Sequence, residues 1–319
     1  MEKSIEYMFE QLNEDTCKTY LFGAKGSKNV VIVDPKIDFL EEYKKLINEN
    51  EYALTHVIDT HTHADHISGA NALRKEYGAE ILMGEKAPGE CVTQRLKEGD
   101  EIEIDGIPLK FIYTPGHTKD AMSVILPGKI LTGDALFLED GGAGRDDLPG
   151  GSASDHYETI QKLHGLNDDL VVYPAHEYRD REPSSLAVQK QKNPHMQHDS
   201  KEAFVSYIQD LHLGPAAWMK DVLKANYACS IDPDAAWVPK DSPACEVMGT
   251  MKLDPEVEEI EVEWIQKDAL KQKLDSDQEV VLLDVRSKKE FENGKLDEIE
   301  GSVNISLTSI ANDVKQLES

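Results

Sequence analysis

Four metal-capable side chains fall within six residues at His61-Thr62-His63-Ala64-Asp65-His66, just after a strand-like run over residues 54–59. Neutral imidazoles and carboxylates are ligands of zinc, iron and manganese. A strand-like run that empties straight into such a cluster demands a fold that presents polar loops at a sheet edge. Two histidines one residue apart can face a common centre from an extended strand end. A tight turn can then offer Asp65 and His66 to a neighbouring centre. A merely polar surface loop is the alternative, and four ligands in six residues argue against it.

Three later segments repeat the placement. His117 stands in Thr114-Pro115-Gly116-His117-Thr118, Asp134 in Leu131-Thr132-Gly133-Asp134-Ala135, and His176 in Pro174-Ala175-His176-Glu177-Tyr178, each after a strand-like run. Taken singly, each is more often a turn or capping residue than a ligand. Taken in order with the first cluster, they describe several strands ending at metal-capable groups.

The wider pattern agrees. Strand signals lie at residues 30–33, 81–83, 101–104, 107–113, 123–126, 129–132 and 170–173, with Asp105-Gly106 marking a tight hairpin and Pro127-Gly128 another turn. Helical spacing covers residues 39–47, 70–77 with Gly78 as its stop, 157–163 and 201–211. From these patterns residues 1–228 are read as a catalytic domain and 229–262 as a linker or extension. That stretch carries Pro233, Pro239, Pro243, Pro255 and an acidic run at 256–261. A new α/β pattern starts at residue 263.

The formal charge is −27, from 61 acidic against 34 basic residues. Such a balance opposes binding of nucleic acid or of an anionic membrane through a general field. The four cysteines, Cys17, Cys91, Cys229 and Cys245, form no C-x-x-C pair. Scattered in this way they need no disulfide framework and suit a reducing compartment. The first residues lack a basic and then apolar leader, and no apolar run is long enough to span a bilayer. The expectation is a cytoplasmic protein without nucleic-acid or membrane partners.

The order HxHxDH, GH, GD and AHEY resembles the metallo-β-lactamase superfamily, over roughly residues 15–180. The resemblance implies an α/β fold, the αβ/βα sandwich with metal between two sheets. It also implies one site near His61, His63 and His117, a second near Asp65, His66 and His176, and Asp134 able to bridge them. Finer spelling is similar to the persulfide dioxygenases, the branch related to the human ethylmalonic encephalopathy protein. It lies in residues 61–69, Thr132-Gly133-Asp134-Ala135-Leu136, Gly144-Arg145, Tyr173-Pro174-Ala175-His176-Glu177-Tyr178 and Asn193-Pro194. Glyoxalase II, a thioester hydrolase of the same fold, is the competing branch.

The dioxygenase resemblance implies one Fe(II) held by His61, His117 and Asp134, with a thiol persulfide and O2 as substrates. His63, Asp65, His66 and His176 would then orient those ligands from behind. In a hydrolase the same four would bind metal directly, giving two Zn(II). Arg145, which could grip an aspartate or a substrate carboxylate, and Tyr178, which could meet the thiol substrate, are tentative substrate contacts. The family commonly has Gly-Cys-Gly-Arg where this chain has Gly142-Ala143-Gly144-Arg145, so no thiol acts there.

Residues 263–319 resemble the first half of a rhodanese domain, through Leu282-Leu283-Asp284-Val285-Arg286, Glu290-Phe291, Gly294 and Gly301-Ser302-Val303-Asn304-Ile305. No cysteine follows Cys245, so this partial rhodanese-like α/β domain would lack the catalytic thiol. A half domain leaves a sheet edge to be covered, and a homo-oligomer is one expectation. An idle scaffold of sulfur metabolism is the reading from another class, and the intact ligand set opposes it.

Overall fold

The computed structural model describes residues 6–179, 181–211, 218–238, 283–284 and 303–304. It divides into two units, Met1–Lys252 and Leu253–Ser319. The break lies within residues 229–262, the stretch read as a linker.

The first unit is built on two sheets. One contains β1 (Tyr7–Gln11), β2 (Tyr20–Ala24), β3 (Asn29–Val33), β4 (Ala53–Ile58), β5 (Glu80–Gly84) and β6 (Gln94–Leu96), in that spatial order. Its first three strands pair antiparallel and the rest parallel. The other contains β7 (Glu101–Ile104), β8 (Ile107–Tyr113), β9 (Met122–Leu126), β10 (Lys129–Gly133) and β11 (Val171–Pro174). All its pairs are antiparallel except β10 with β11.

The alternation of side chains along β3 explains the layering. Val31 and Val33 face the second sheet and join Phe22, Leu82, Leu109, Phe111 and Val124 in the core between the sheets. Val30 and Ile32 face the other way, onto Tyr43 and Ile47 of α1 (Leu40–Glu49) and Leu73 of α2 (Ala70–Tyr77). A strand apolar on both faces must be covered on both. On the far side, Ile112, Ile130 and Val172 meet Ile160 and Leu163 of α3 (Ala153–His164), Leu186 of α4 (Leu186–Lys192) and Phe204 of α5 (Lys201–Gln209). The result is the expected αβ/βα sandwich. A last helix, α6 (Met219–Tyr227), packs Met219 and Leu223 against Ala64, Phe137 and Leu148.

Local signals act where the sequence places them. Asp105 and Gly106 both take positive φ, 50° and 82°, as a two-residue hairpin requires. Gly78 ends α2 in the left-handed region at φ 72°. Ser152 and Ser200 cap α3 and α5 by accepting from the backbone N–H of Asp155 and Ala203.

The cysteines depart from expectation. Cys91 and Cys229 form a disulfide across 138 residues, while Cys17 is buried and free. Cysteine usage therefore lends no support to a reducing compartment. The disulfide also ties residue 229, the start of the expected linker, to the first unit. In the second unit, β12 (Leu283–Asp284) pairs parallel with β13 (Val303–Asn304). The remaining residues of the rhodanese-like pattern, and Cys245, lie outside the described residues. Among the described residues no helix is long and apolar enough to cross a membrane.

Candidate metal centre

The metal-capable groups named from the sequence stand just beyond the C-terminal ends of strands. His61, His63, Asp65 and His66 follow β4, His117 follows β8, Asp134 follows β10 and His176 follows β11. These ends share one rim of the sandwich, so residues far apart in sequence converge there. Glycine is required where the loops touch. Gly133 has φ +54°, and a Cβ there would lie 2.6 Å from Thr60 Oγ1; a Cβ on Gly144 would lie 2.8 Å from that of Asp134.

His61, His117 and Asp134 form one group, their ligand atoms all within 4.8 Å of one another and all buried. His61 Nε2 stands 3.7 Å and His117 Nε2 3.5 Å from Asp134 Oδ2. None of these three atoms has a hydrogen-bond partner. The opposite atom of each residue is held. His61 Nδ1 lies 3.0 Å from Thr60 Oγ1, which itself donates to Asp34. His117 Nδ1 donates to the Arg145 carbonyl, and Asp134 Oδ1 accepts from His176 Nδ1 at 2.7 Å. Buried polar atoms are normally satisfied. Three that are not, aimed at one point by partners on their far sides, fit a bound cation.

Cys17, Asp65, His66 and His176 form a second group, centred on Asp65. Asp65 Oδ2 accepts from His176 Nε2 at 2.8 Å, from His66 Nδ1 at 3.0 Å and from Cys17 Sγ at 3.4 Å. Both ring nitrogens of His176 are thus committed to carboxylates, those of Asp65 and Asp134. His66 Nε2 and Asp65 Oδ1 have no hydrogen-bond partner. His63 falls in neither group: it joins Asp34 and Asp59, with Nε2 3.3 Å from Asp34 Oδ1.

Charge follows the same division. Burial and the neighbouring His63 push His61 well below the usual imidazole pKa, leaving it neutral, as a metal ligand must be. Burial would also depress His176, but Asp134, Tyr178 and Asp65 raise it well above that value. Burial opposes ionisation of Asp65, yet His66 and His176 hold its carboxyl well below the usual range.

The two tentative substrate residues are occupied by the protein. Arg145 is buried and sends paired hydrogen bonds, each 2.7 Å, from Nε and Nη2 to Asp147, which makes the aspartate of the two expected partners the one observed. Tyr178 lies parallel to the His176 ring at 5.6 Å between centroids. Sequence reasoning missed five contributors. Cys17 and Asp34 are described above. Asp59 is pushed up to about 6 by burial. Asp120 accepts from Thr62 N and Oγ1, and Asn226 bonds the backbone of the first cluster. Only Asp34 had a local signal, as the residue ending a strand before Pro35.

The fold and this rim define a class. Residues 12–176 match the family model of the Metallo-beta-lactamase superfamily, and the chain belongs to it as one of its enzymes. Within that class it is similar to the human mitochondrial persulfide dioxygenase ETHE1, at 29% identity over 68% of this chain and 86% of that protein. It is also similar to the crystal structure of ETHE1 from Myxococcus xanthus, at 33% identity and TM-score 0.66, over 70% of this chain and 99% of that one. Hydroxyacylglutathione hydrolase from Photobacterium profundum is 32% identical over 56% of this chain and 69% of its own length.

Proposed function

We propose that the chain is an iron-dependent persulfide dioxygenase, taking a low-molecular-weight thiol persulfide, O2 and water to the thiol and sulfite. The observation that carries this reading is the contrast between the two groups. His61, His117 and Asp134 each present an unpartnered atom to one point, while His176 has both nitrogens engaged. Similarity to the persulfide dioxygenases supports the choice of reaction.

Ferrous iron held by His61, His117 and Asp134 would supply the redox chemistry that joins a sulfur anion to O2. The chain's own residues arrange the rest. Thr60 and the Arg145 carbonyl fix the tautomers of His61 and His117, so that each Nε2 keeps its lone pair inward. His176 holds a proton between Asp65 and Asp134. Arg145 braces the turn whose carbonyl orients His117, and the Tyr178 hydroxyl is assigned to the thiol end of the substrate. A cytoplasmic location rests on composition alone, and the human relative is by its name mitochondrial.

The test pairs metal content with oxygen uptake. The expected result is about one iron per chain and O2 consumption that depends on added persulfide. Two zinc ions with thioester cleavage in the absence of oxygen would overturn it. That outcome belongs to a second reading, a zinc thioester hydrolase. It is favoured by the proximity of Cys17, Asp65, His66 and His176 and by the similarity to hydroxyacylglutathione hydrolase.

A further inference from the structure

One side chain, contributed from about 160 positions away in sequence, holds the backbone of the first metal-capable loop. Asn226 Nδ2 donates to the carbonyls of His63 at 2.8 Å and His66 at 2.9 Å, and its Oδ1 accepts from Ser68 N at 3.0 Å. Asn226 stands in the last turn of α6. Three residues later Cys229 is bonded to Cys91, and its carbonyl accepts from Asn71 Nδ2 at 2.6 Å.

The two ends of α6 are held differently. Met219, Val222 and Leu223 are packed in apolar clusters. The Asn226 end borders a small cavity of about 30 Å³, lined by Asp59, His63, Asn71, Cys91, Asn226 and Cys229 among others, which is room for about two waters. Asp59 Oδ1, His63 Nδ1 and Asn71 Oδ1 are buried there without protein partners, as suits a water-filled space. That end is therefore secured by hydrogen bonds and one covalent link beside a cavity rather than by apolar packing. Both cysteines are only half-buried.

We propose that Asn226 is the positioning residue of the 61–68 loop, and that the Cys91–Cys229 disulfide makes its grip answer to low-molecular-weight thiols. The inference rests on the reading of that loop as part of a metal centre. A thiolate attacks one cysteine sulfur, the Sγ–Sγ bond breaks, and the other cysteine leaves as thiolate and takes a proton. A second thiol then displaces the first from the mixed disulfide. Two electrons pass to the protein, giving two cysteine thiols and the oxidised thiol dimer. With the link gone the end of α6 is free to move off the cavity, and the carbonyls of His63 and His66 lose their donor.

The experiment uses the full chain loaded with ferrous iron. Iron release to a chelator is timed for the air-oxidised, thiol-reduced, C91S/C229S and Asn226→Ala forms, with amide exchange over residues 61–68 measured in parallel. Reduction and the double serine change should each speed release about tenfold and deprotect the loop. In Asn226→Ala release should already be fast, and reduction should add nothing further, because the disulfide acts through that side chain. Equal release in oxidised and reduced forms overturns the proposal. So does a redox effect of undiminished size in Asn226→Ala, or a mass map without the 91–229 cross-link. A chain that takes up no metal fails the functional reading, whereas indifference of bound metal to the disulfide fails only this one. Amide exchange reads the grip in either case.

Discussion

Two groups of the same residue types lie side by side on one rim, and they differ in how their hydrogen bonds are spent. In the group of His61, His117 and Asp134, each side chain is tied on one atom and open on the other. In the group of Cys17, Asp65, His66 and His176, Asp65 is the hub on which the others close. Residue type alone therefore does not separate a ligand from its support. The sharpest difference is at His176, a ring tied twice that offers no lone pair, whereas His61 and His117 are each tied at Nδ1 and keep Nε2 open. His66 is also open at Nε2 but spends its Nδ1 on Asp65 within its own group.

The largest expected effect comes from opening the first group. His117→Ala should abolish iron retention and lower activity well beyond the roughly 100-fold expected of a supporting residue, read by metal analysis and oxygen uptake. Asp65→Ala is the matching change in the second group. It should leave iron content unchanged and reduce activity by roughly 10–100-fold. Loss of metal in that variant would break the comparison and point to a dinuclear site.

A third test concerns the loop behind His117. Burial, and then the Asp147 charge, push the Asp146 carboxyl up to about 7. Its Oδ2 and the Nδ1 of His156 are both unpartnered and 3.9 Å apart. The raised value means that the folded chain keeps a proton which the unfolded chain releases near pH 4. The stability it adds is complete below about pH 4 and disappears as pH rises through about 7. Asp146→Asn should flatten this dependence and stabilise the chain at pH 8 by roughly 1–3 kcal/mol, read by denaturant melts across pH. An unchanged pH profile would show that the carboxyl is solvated. The smallest effect is expected from Tyr178→Phe, a rise in KM of about fivefold, worth one hydrogen bond, with kcat nearly unchanged. A fall in kcat instead would assign the hydroxyl to the proton held by His176.

Legibility in the sequence followed range. The strands of the second sheet and the Asp105-Gly106 turn were readable because period-two alternation and a positive-φ dipeptide are local. The ligand loops were readable because histidines and aspartates recur just after strands. β1 and β2 went unnamed, and so did α6: a short edge strand such as β1 or a helix in a polar stretch leaves a weak periodic signal, and β2, interior and buried, is only five residues long. The missing supports are pairings across the fold. Asn226 reaches residues 63–68, Cys17 reaches Asp65, and Cys91 reaches Cys229. Nothing local distinguishes an asparagine that clamps a loop from one on a wet helix face.

Ala143 bears on how the molecule ages. It is fully buried in the turn before Arg145, at the position where related chains commonly keep a cysteine. On the dioxygenase reading, a thiol beside the centre is itself fuel for stepwise oxidation, and a methyl group is not. Among the described residues the free thiol is that of Cys17, sequestered against Asp65. Wear over many turnovers should therefore be narrow in location. Oxygen atoms gained by the described part of the rim would accumulate on Cys17 or on the Met219 thioether beside Ala64, or the centre would lose its metal before its own side chains were scarred.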